Sequence, residues 1–160
     1  MGYTNYFKIP TKMDAEKFKI LSEELKIAAG FLPGNLASSS GDLKHTVVLC
    51  GWDGTGHPEF SNDSIAFNGD DTNGMSHETF RIDRDNTKKA NASGSINELV
   101  SSFCKTNRKP YDLMVQVTML RLKHHFPESV ISSDGRSTDW TEGRKIYKKI
   151  FGEVPPKMDR

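Results

Sequence analysis

Along residues 3 to 9 (YTNYFKI) apolar and polar positions alternate, with Tyr3, Phe7 and Ile9 on one face and Thr4, Tyr6 and Lys8 on the other. That period predicts a half-buried strand, which Pro10 ends. The period then lengthens: Phe18, Leu21, Leu25 and Ala28 recur at helical spacing behind an approximate capping box, Thr11 with Asp14, and Gly30 supplies a stop. An amphipathic helix is expected from about 13 to 29. The Ser, Gly and Pro content of LPGNLASSSGD marks a loop, and the β-branched density of HTVVLCGW predicts a second strand near 45 to 51.

SIAFN and ETFRID flank the polar GDDTNGMSH and read as two short strands of a meander. Residues 84 to 95 (RDNTKKANASGS) read as a flexible surface connection without core residues. KPYDLMVQVTMLRLKHHF is apolar over most of a helical circumference, with Pro110 suited to the first turn, and predicts a central packed helix. SVISS is a short last strand. WTEGRKIYKKIF places Trp140, Tyr147 and Ile150 on a final helix that Gly152 ends, leaving 153 to 160 as a tail. The order is strand, helix, three strands, helix, strand, helix. It predicts one α+β domain over 1–160, a mixed, mostly antiparallel sheet with helices packed on one face. A doubly wound parallel sheet fits less well, because the middle strands lack crossover helices.

Composition narrows the function classes. The 160 residues carry 22 Lys plus Arg and 21 Asp plus Glu, a formal charge of +1, so no global attraction to nucleic acid or membrane follows. Any anion preference must be local. Two cysteines, Cys50 and Cys104, are too few for a disulfide framework and fit a reducing cytoplasm. No run is long and apolar enough for a membrane span, and no secretory leader opens the chain.

The near-zero charge hides a partition. Residues 52 to 80 carry Asp53, Glu59, Asp63, Asp70, Asp71 and Glu78 with no Lys or Arg, whereas 101 to 126 carry five cations against Asp112. Lys105, Thr106, Arg108 and Lys109 stand directly before the helix that Pro110 opens. A helix start exposes unpaired amides and partial positive charge, so this is a phosphate-binding arrangement: Arg108 as a fork, Lys105 or Lys109 as point charge, Thr106 as hydroxyl donor. The competing expectation is plain solvation of these side chains.

His77, Glu78 and Thr79 enter a strand after a polar loop, with His77 and Thr79 on one face, able to hold and polarise a phosphate oxygen. A two-histidine phosphoesterase needs a second such unit, and none is present. In SSDG, Ser132, Ser133 and Asp134 at a sheet edge are expected either to bond a ribose or base or to form a plain turn set by Asp-Gly. Among Tyr3, Tyr6, Trp52, Tyr111 and Trp140, any exposed ring can stack on a nucleobase. No metal is expected, because DDTNG lacks the ladder and terminal Glu of a calcium loop, and no cofactor is expected, because GWDGTG fails the dinucleotide spacing. His124 and His125 are expected to answer the helix C-terminus.

GYTNYF, FNGD, SHETFRIDR, FCKTNRKPYD, KHHFPE and ISSDG together resemble a family of small, mostly uncharacterised proteins of bacteriophages and some bacteria, over about residues 2 to 152. The resemblance brings no established activity. It implies a phage accessory protein of the host cytoplasm, and one site built from His77, Glu78, Lys105, Thr106, Arg108, Lys109, Tyr111 and Asp134. Three functions follow as expectations. The first is capture of a phosphorylated small molecule or nucleotide, such as a host immune signalling nucleotide, which would serve counter-defence. The second is a phosphate-ester or nucleotide enzyme using His77. The third is inhibition of a host protein through the acidic segment.

Overall fold

The computed structural model describes residues 2–32, 47–92 and 98–159. Its first strand, β1 (Thr4–Pro10), alternates as the pattern predicts, with Phe7 and Ile9 inside and Tyr6 and Lys8 outside. Helix α1 (Ala15–Ala29) starts one residue after Asp14, whose carboxylate accepts the Lys17 amide at 2.9 Å. The cap is therefore Asp14 itself rather than a box begun by Thr11. Phe18, Leu21, Leu25 and Ala28 are buried as one stripe.

Three strands follow: β2 (Glu59–Phe60), β3 (Ser64–Phe67) and β4 (Phe80–Asp83), an antiparallel meander in the order β2-β3-β4. The strand expected at 45 to 51 does not form over its described part. Residues 47–49 are irregular, and Cys50 alone pairs with Asn68 through two backbone bonds of 2.9 and 3.0 Å. Burial of Val47 satisfies its apolar pattern without a ladder. Residues 45 and 46 and the loop 33–42 lie outside the described residues. The 84–95 connection is ordered over 84–92, and residues 93–95 lie outside the described residues. Helix α2 (Thr87–Ala92) buries Ala90, and the buried Asn86 amide donates to Asp83 O (2.7 Å) and Pro10 O (3.3 Å).

Sequence reading missed strand β5 (Leu99–Lys105), which pairs antiparallel with β1 along its whole length, from Thr4↔Lys105 to Pro10↔Leu99. Helix α3 (Asp112–His125) is buried on nearly every side. Strand β6 (Val130–Ser133) pairs antiparallel with the other edge of β1, so the second sheet runs β5-β1-β6. A 3-10 turn, Ser137–Trp140, leads into α4 (Thr141–Phe151), which Gly152 ends at φ 68°, the left-handed position that glycine occupies without cost.

The chain is one compact α+β domain, its strands divided between two small antiparallel sheets. Phe80 joins them, its ring centroid 5.3 Å from Phe7 and 5.1 Å from Phe67. Among the described residues no helix is long and apolar enough to cross a membrane.

Candidate functional site

Three of the polar segments singled out in the sequence, SHET, KTNRK and SSDG, lie near one another. Three pieces of chain meet at the end of the β5-β1-β6 sheet where β1 begins: the run 68–79, the turn after β5, and the run 133–139. Glu78 is the first link. Its amide donates to Lys105 O (3.1 Å) and its carboxylate accepts the Lys105 amide (3.3 Å), so Glu78 acts as a partner for the outer edge of β5. On the other side, Asp134 exchanges backbone and side-chain bonds with Thr4: Asp134 N to Thr4 O at 2.9 Å and Thr4 N to the carboxylate at 3.0 Å. Lys105, Thr4 and Asp134 thus lie in one row across three strands.

Asn68 positions His77. Its buried amide accepts from the amides of Gly69 (2.7 Å) and His77 (3.1 Å), and donates to His77 O (2.9 Å) and Thr79 Oγ1 (3.1 Å). Gly69 is required here, because a Cβ would lie 2.0 Å from Met75 O. The His77 ring sits at the surface with Nδ1 2.6 Å from Lys105 O. A carbonyl only accepts, so Nδ1 carries the proton, and Nε2 has no hydrogen-bond partner among the described residues. Thr79 is not its partner on a ligand. Its hydroxyl donates to Trp52 O, so the expected His-x-Thr phosphate grip is not assembled.

The helix entrance differs most from expectation. The amides of Asp112, Leu113, Met114 and Val115 are all bonded, to the carbonyls of Lys109, Pro110 and Tyr111 at 2.9 to 3.2 Å. No open ring of donors faces a ligand. Asp112 closes the site from within: buried, it accepts from Asn5 Nδ2 (2.7 Å), Thr106 Oγ1 (2.6 Å) and Gln116 Nε2 (2.8 Å). A carboxylate in the first helical turn already answers the dipole that was to attract phosphate. Thr106 is fully buried on Asp112 and presents no hydroxyl outward. Tyr111 is buried too, donating to Glu78 O, and burial pushes its hydroxyl far above the ordinary tyrosine value. Ser133 donates to the Tyr3 hydroxyl (2.9 Å) and accepts the Gly135 amide (3.1 Å), a brace rather than a ribose contact.

Two of the three cations are held by the protein. Lys109 Nζ donates to Gly74 O at 3.0 Å. Arg108 pairs with Asp139 at 3.1 Å and lies 4.2 Å over the Tyr3 ring. Backbone bonds from Arg136 and then the Arg108 guanidinium keep the Asp139 carboxyl below its usual range. The turn 106–109 closes through Lys109 N to Thr106 O at 3.0 Å, with Asn107 and Arg108 at φ 51° and 57°. Two left-handed residues in succession define a type I′ turn, and an arginine there costs about 1–2 kcal/mol. Lys105 remains at the surface, its ammonium 5.6 Å from the Phe103 ring.

Missing β5 also hid an aromatic pair. Phe103 on β5 stands directly opposite Tyr6 on β1, and the two are 54% and 42% exposed on the solvent face of the sheet. Tyr6 donates to Asp134 at 3.1 Å, which fixes one ring edge. Lys105 and Lys8 lie one step along the strands on either side, and Ser132 completes the Tyr6 row. The signal was the period-two pattern of L-V-S-S-F-C-K, with Val100 and Cys104 inside and Ser101, Phe103 and Lys105 outside. Trp52, more exposed still, adjoins through Thr79.

The acidic segment is mostly engaged in its own turns: Asp53 accepts from Thr55, Asp70 from the Thr72 amide and Asn73, and Asp71 from Ser76. Among the described residues no group of three His, Cys, Asp or Glu is disposed to hold a metal ion. The chain matches no family model, no curated protein and no solved structure.

Proposed function

We propose that the protein binds nucleotides on the open face of the β5-β1-β6 sheet, with bases stacked on Tyr6 and Phe103 and phosphate directed to Lys105 and Lys8. The observation that carries this reading is the cross-strand aromatic pair held exposed between two lysines. An aromatic pair on a sheet face ordinarily hides in a core; left in water between cations, it fits the planar base and the anionic backbone of a nucleotide at once. In this reading Asp134, whose carboxylate already accepts from Tyr6 and the Thr4 amide, also accepts from a ribose hydroxyl.

Stacking contributes about 1–3 kcal/mol per base. One base on an open face therefore gives weak affinity, and two platforms on adjacent strands favour a ligand with two bases. For a phage-type protein, a host signalling nucleotide of that size is the matching ligand, and capture without turnover suffices for counter-defence in the host cytoplasm. Calorimetry with AMP, a linear adenine dinucleotide and inorganic phosphate tests the proposal. The dinucleotide binds more tightly than AMP, phosphate binds least, and Phe103→Ala weakens the dinucleotide by about fivefold to a hundredfold. Unchanged affinity in Phe103→Ala and Tyr6→Ala sinks it.

The free Nε2 of His77 beside Lys105 supports a second reading, hydrolysis of a bound nucleotide, with Glu78 as its acidic neighbour. Chromatography of incubated nucleotides decides it: product formed by the wild type and lost in His77→Ala moves the function from capture to catalysis.

A further inference from the structure

Beyond the sheet face, we infer that the cavity between α4 and the C-terminal tail is a second ligand site, one that takes a small amphipathic anion: an anionic head on an apolar body. The cavity holds about 670 Å³, within the range of ligand pockets. One wall is α4, where Thr141, Arg144, Lys145 and Lys148 fall at i, i+3, i+4 and i+7 and so form a single stripe. The facing wall is the tail 154–158, which Gly152 turns back along the helix. Leu120 and Trp140 close the apolar floor.

The charge of this lining is one-sided. Arg144, Lys145, Lys148 and Lys157 border the cavity and no described carboxylate does. Lys145, Lys148 and Lys157 form no ion pair among the described residues, in contrast to Arg121, Lys123 and Arg108, each of which has an acidic partner. Like charges gathered around a concave, low-dielectric surface focus a positive potential and cost stability unless something answers them. The apolar floor selects against a bare inorganic ion, and the cations select against a neutral lipid.

The tail is a built wall. Asp159 donates its amide to Ile131 O (2.7 Å), and its carboxylate accepts from Ile131 N (2.9 Å) and Lys123 Nζ (2.9 Å). Pro155 and Pro156 stiffen the span between this anchor and Gly152. Lys157 is therefore held opposite the helix stripe.

Trp140 gives the readout. In a Trp52→Phe background, which removes the exposed indole, the remaining fluorescence reports from the cavity floor. Titration with octyl phosphate is expected to change it saturably, with octanol binding about tenfold or more weaker and inorganic phosphate without effect. Lys148→Glu with Lys157→Glu is expected to weaken octyl phosphate by about tenfold or more, and Asp159→Ala to weaken it by releasing the wall, both with an unchanged circular dichroism spectrum. Vesicles of phosphatidylcholine with and without phosphatidic acid separate a membrane lipid from a free anion as the source: retention only on the acidic vesicles assigns the lipid, and none assigns the free molecule. Equal affinity for octanol and octyl phosphate, or no saturable change in the folded protein, overturns the site. Phe103→Ala leaves this titration unchanged, so failure here and failure of the sheet-face reading are told apart.

Discussion

Replacing Asp112 with alanine removes one carboxylate, strands two buried donors and takes the shorter of two bonds from a third. Asn5 Nδ2 and Thr106 Oγ1 have no other described acceptor, whereas Gln116 Nε2 retains Asp139 O at 3.3 Å. A buried donor left unsatisfied costs about 1–3 kcal/mol. Two full losses and one partial loss, with some relief from entering water, total about 3–5 kcal/mol. A domain of this kind has only about 5–15 kcal/mol to lose. Urea unfolding followed by circular dichroism reads this as a fall in midpoint of about 1.5–2.5 M, for an m-value near 2 kcal/mol/M. Asp112→Asn is a sharper control. Its amide can donate to Gln116 Oε1, a buried oxygen without a partner, once Gln116 turns over, while its oxygen keeps Asn5 and Thr106. Its cost is expected to be less than half that of alanine. A midpoint shift below about 0.5 M for Asp112→Ala would refute the claim that this carboxylate organises the helix entrance.

Burial alone would raise the Glu24 carboxyl, but hydrogen bonds from Arg121 and His125 outweigh it and hold it below its ordinary 4.5. A depressed carboxylate stabilises above the unfolded value and stops doing so as pH falls through the folded one. The urea-midpoint advantage of wild type over Glu24→Gln therefore shrinks below pH 4.5, and parallel curves contradict the pairing. At Arg108 the left-handed backbone reverses the usual ranking: Arg108→Gly is expected to be more stable than Arg108→Ala by about 1 kcal/mol in thermal unfolding, and the opposite order denies the turn. Burial pushes the Cys104 thiol up to about 12. At pH 8 it should resist a thiol reagent until the chain unfolds; prompt labelling of Cys104 in a Cys50→Ser variant contradicts its placement beneath the sheet.

Elements with a strong period were legible. The Phe18, Leu21, Leu25 and Ala28 stripe and the apolar girdle of Met114 to Leu122 each appear as helices where expected. Strand β5 was obscured because Ser101 and Ser102 interrupt its apolar positions and its outward residues, Phe103 and Lys105, blur the contrast between faces. HTVVLCGW erred the other way, since β-branched density reports burial as readily as pairing. SHET, KTNRK and SSDG stood out in the sequence as polar segments beside predicted elements. What each side chain does there was not legible, because Thr106, Ser133 and Thr79 bond to partners far along the chain. Local spacing cannot distinguish a hydroxyl offered to a ligand from one already holding Asp112.

Both margins of the β5-β1-β6 sheet end on a single residue that imitates a neighbouring strand. Asp159 meets the amide and carbonyl of Ile131, and Glu78 meets those of Lys105. At each point the backbone groups on which another chain would begin to zip are already occupied. A sheet of only three strands, carrying uncovered aromatic rings on one face, is otherwise a template for lateral growth. These two carboxylate residues let the protein leave Tyr6 and Phe103 in water without inviting fibrils from its own kind.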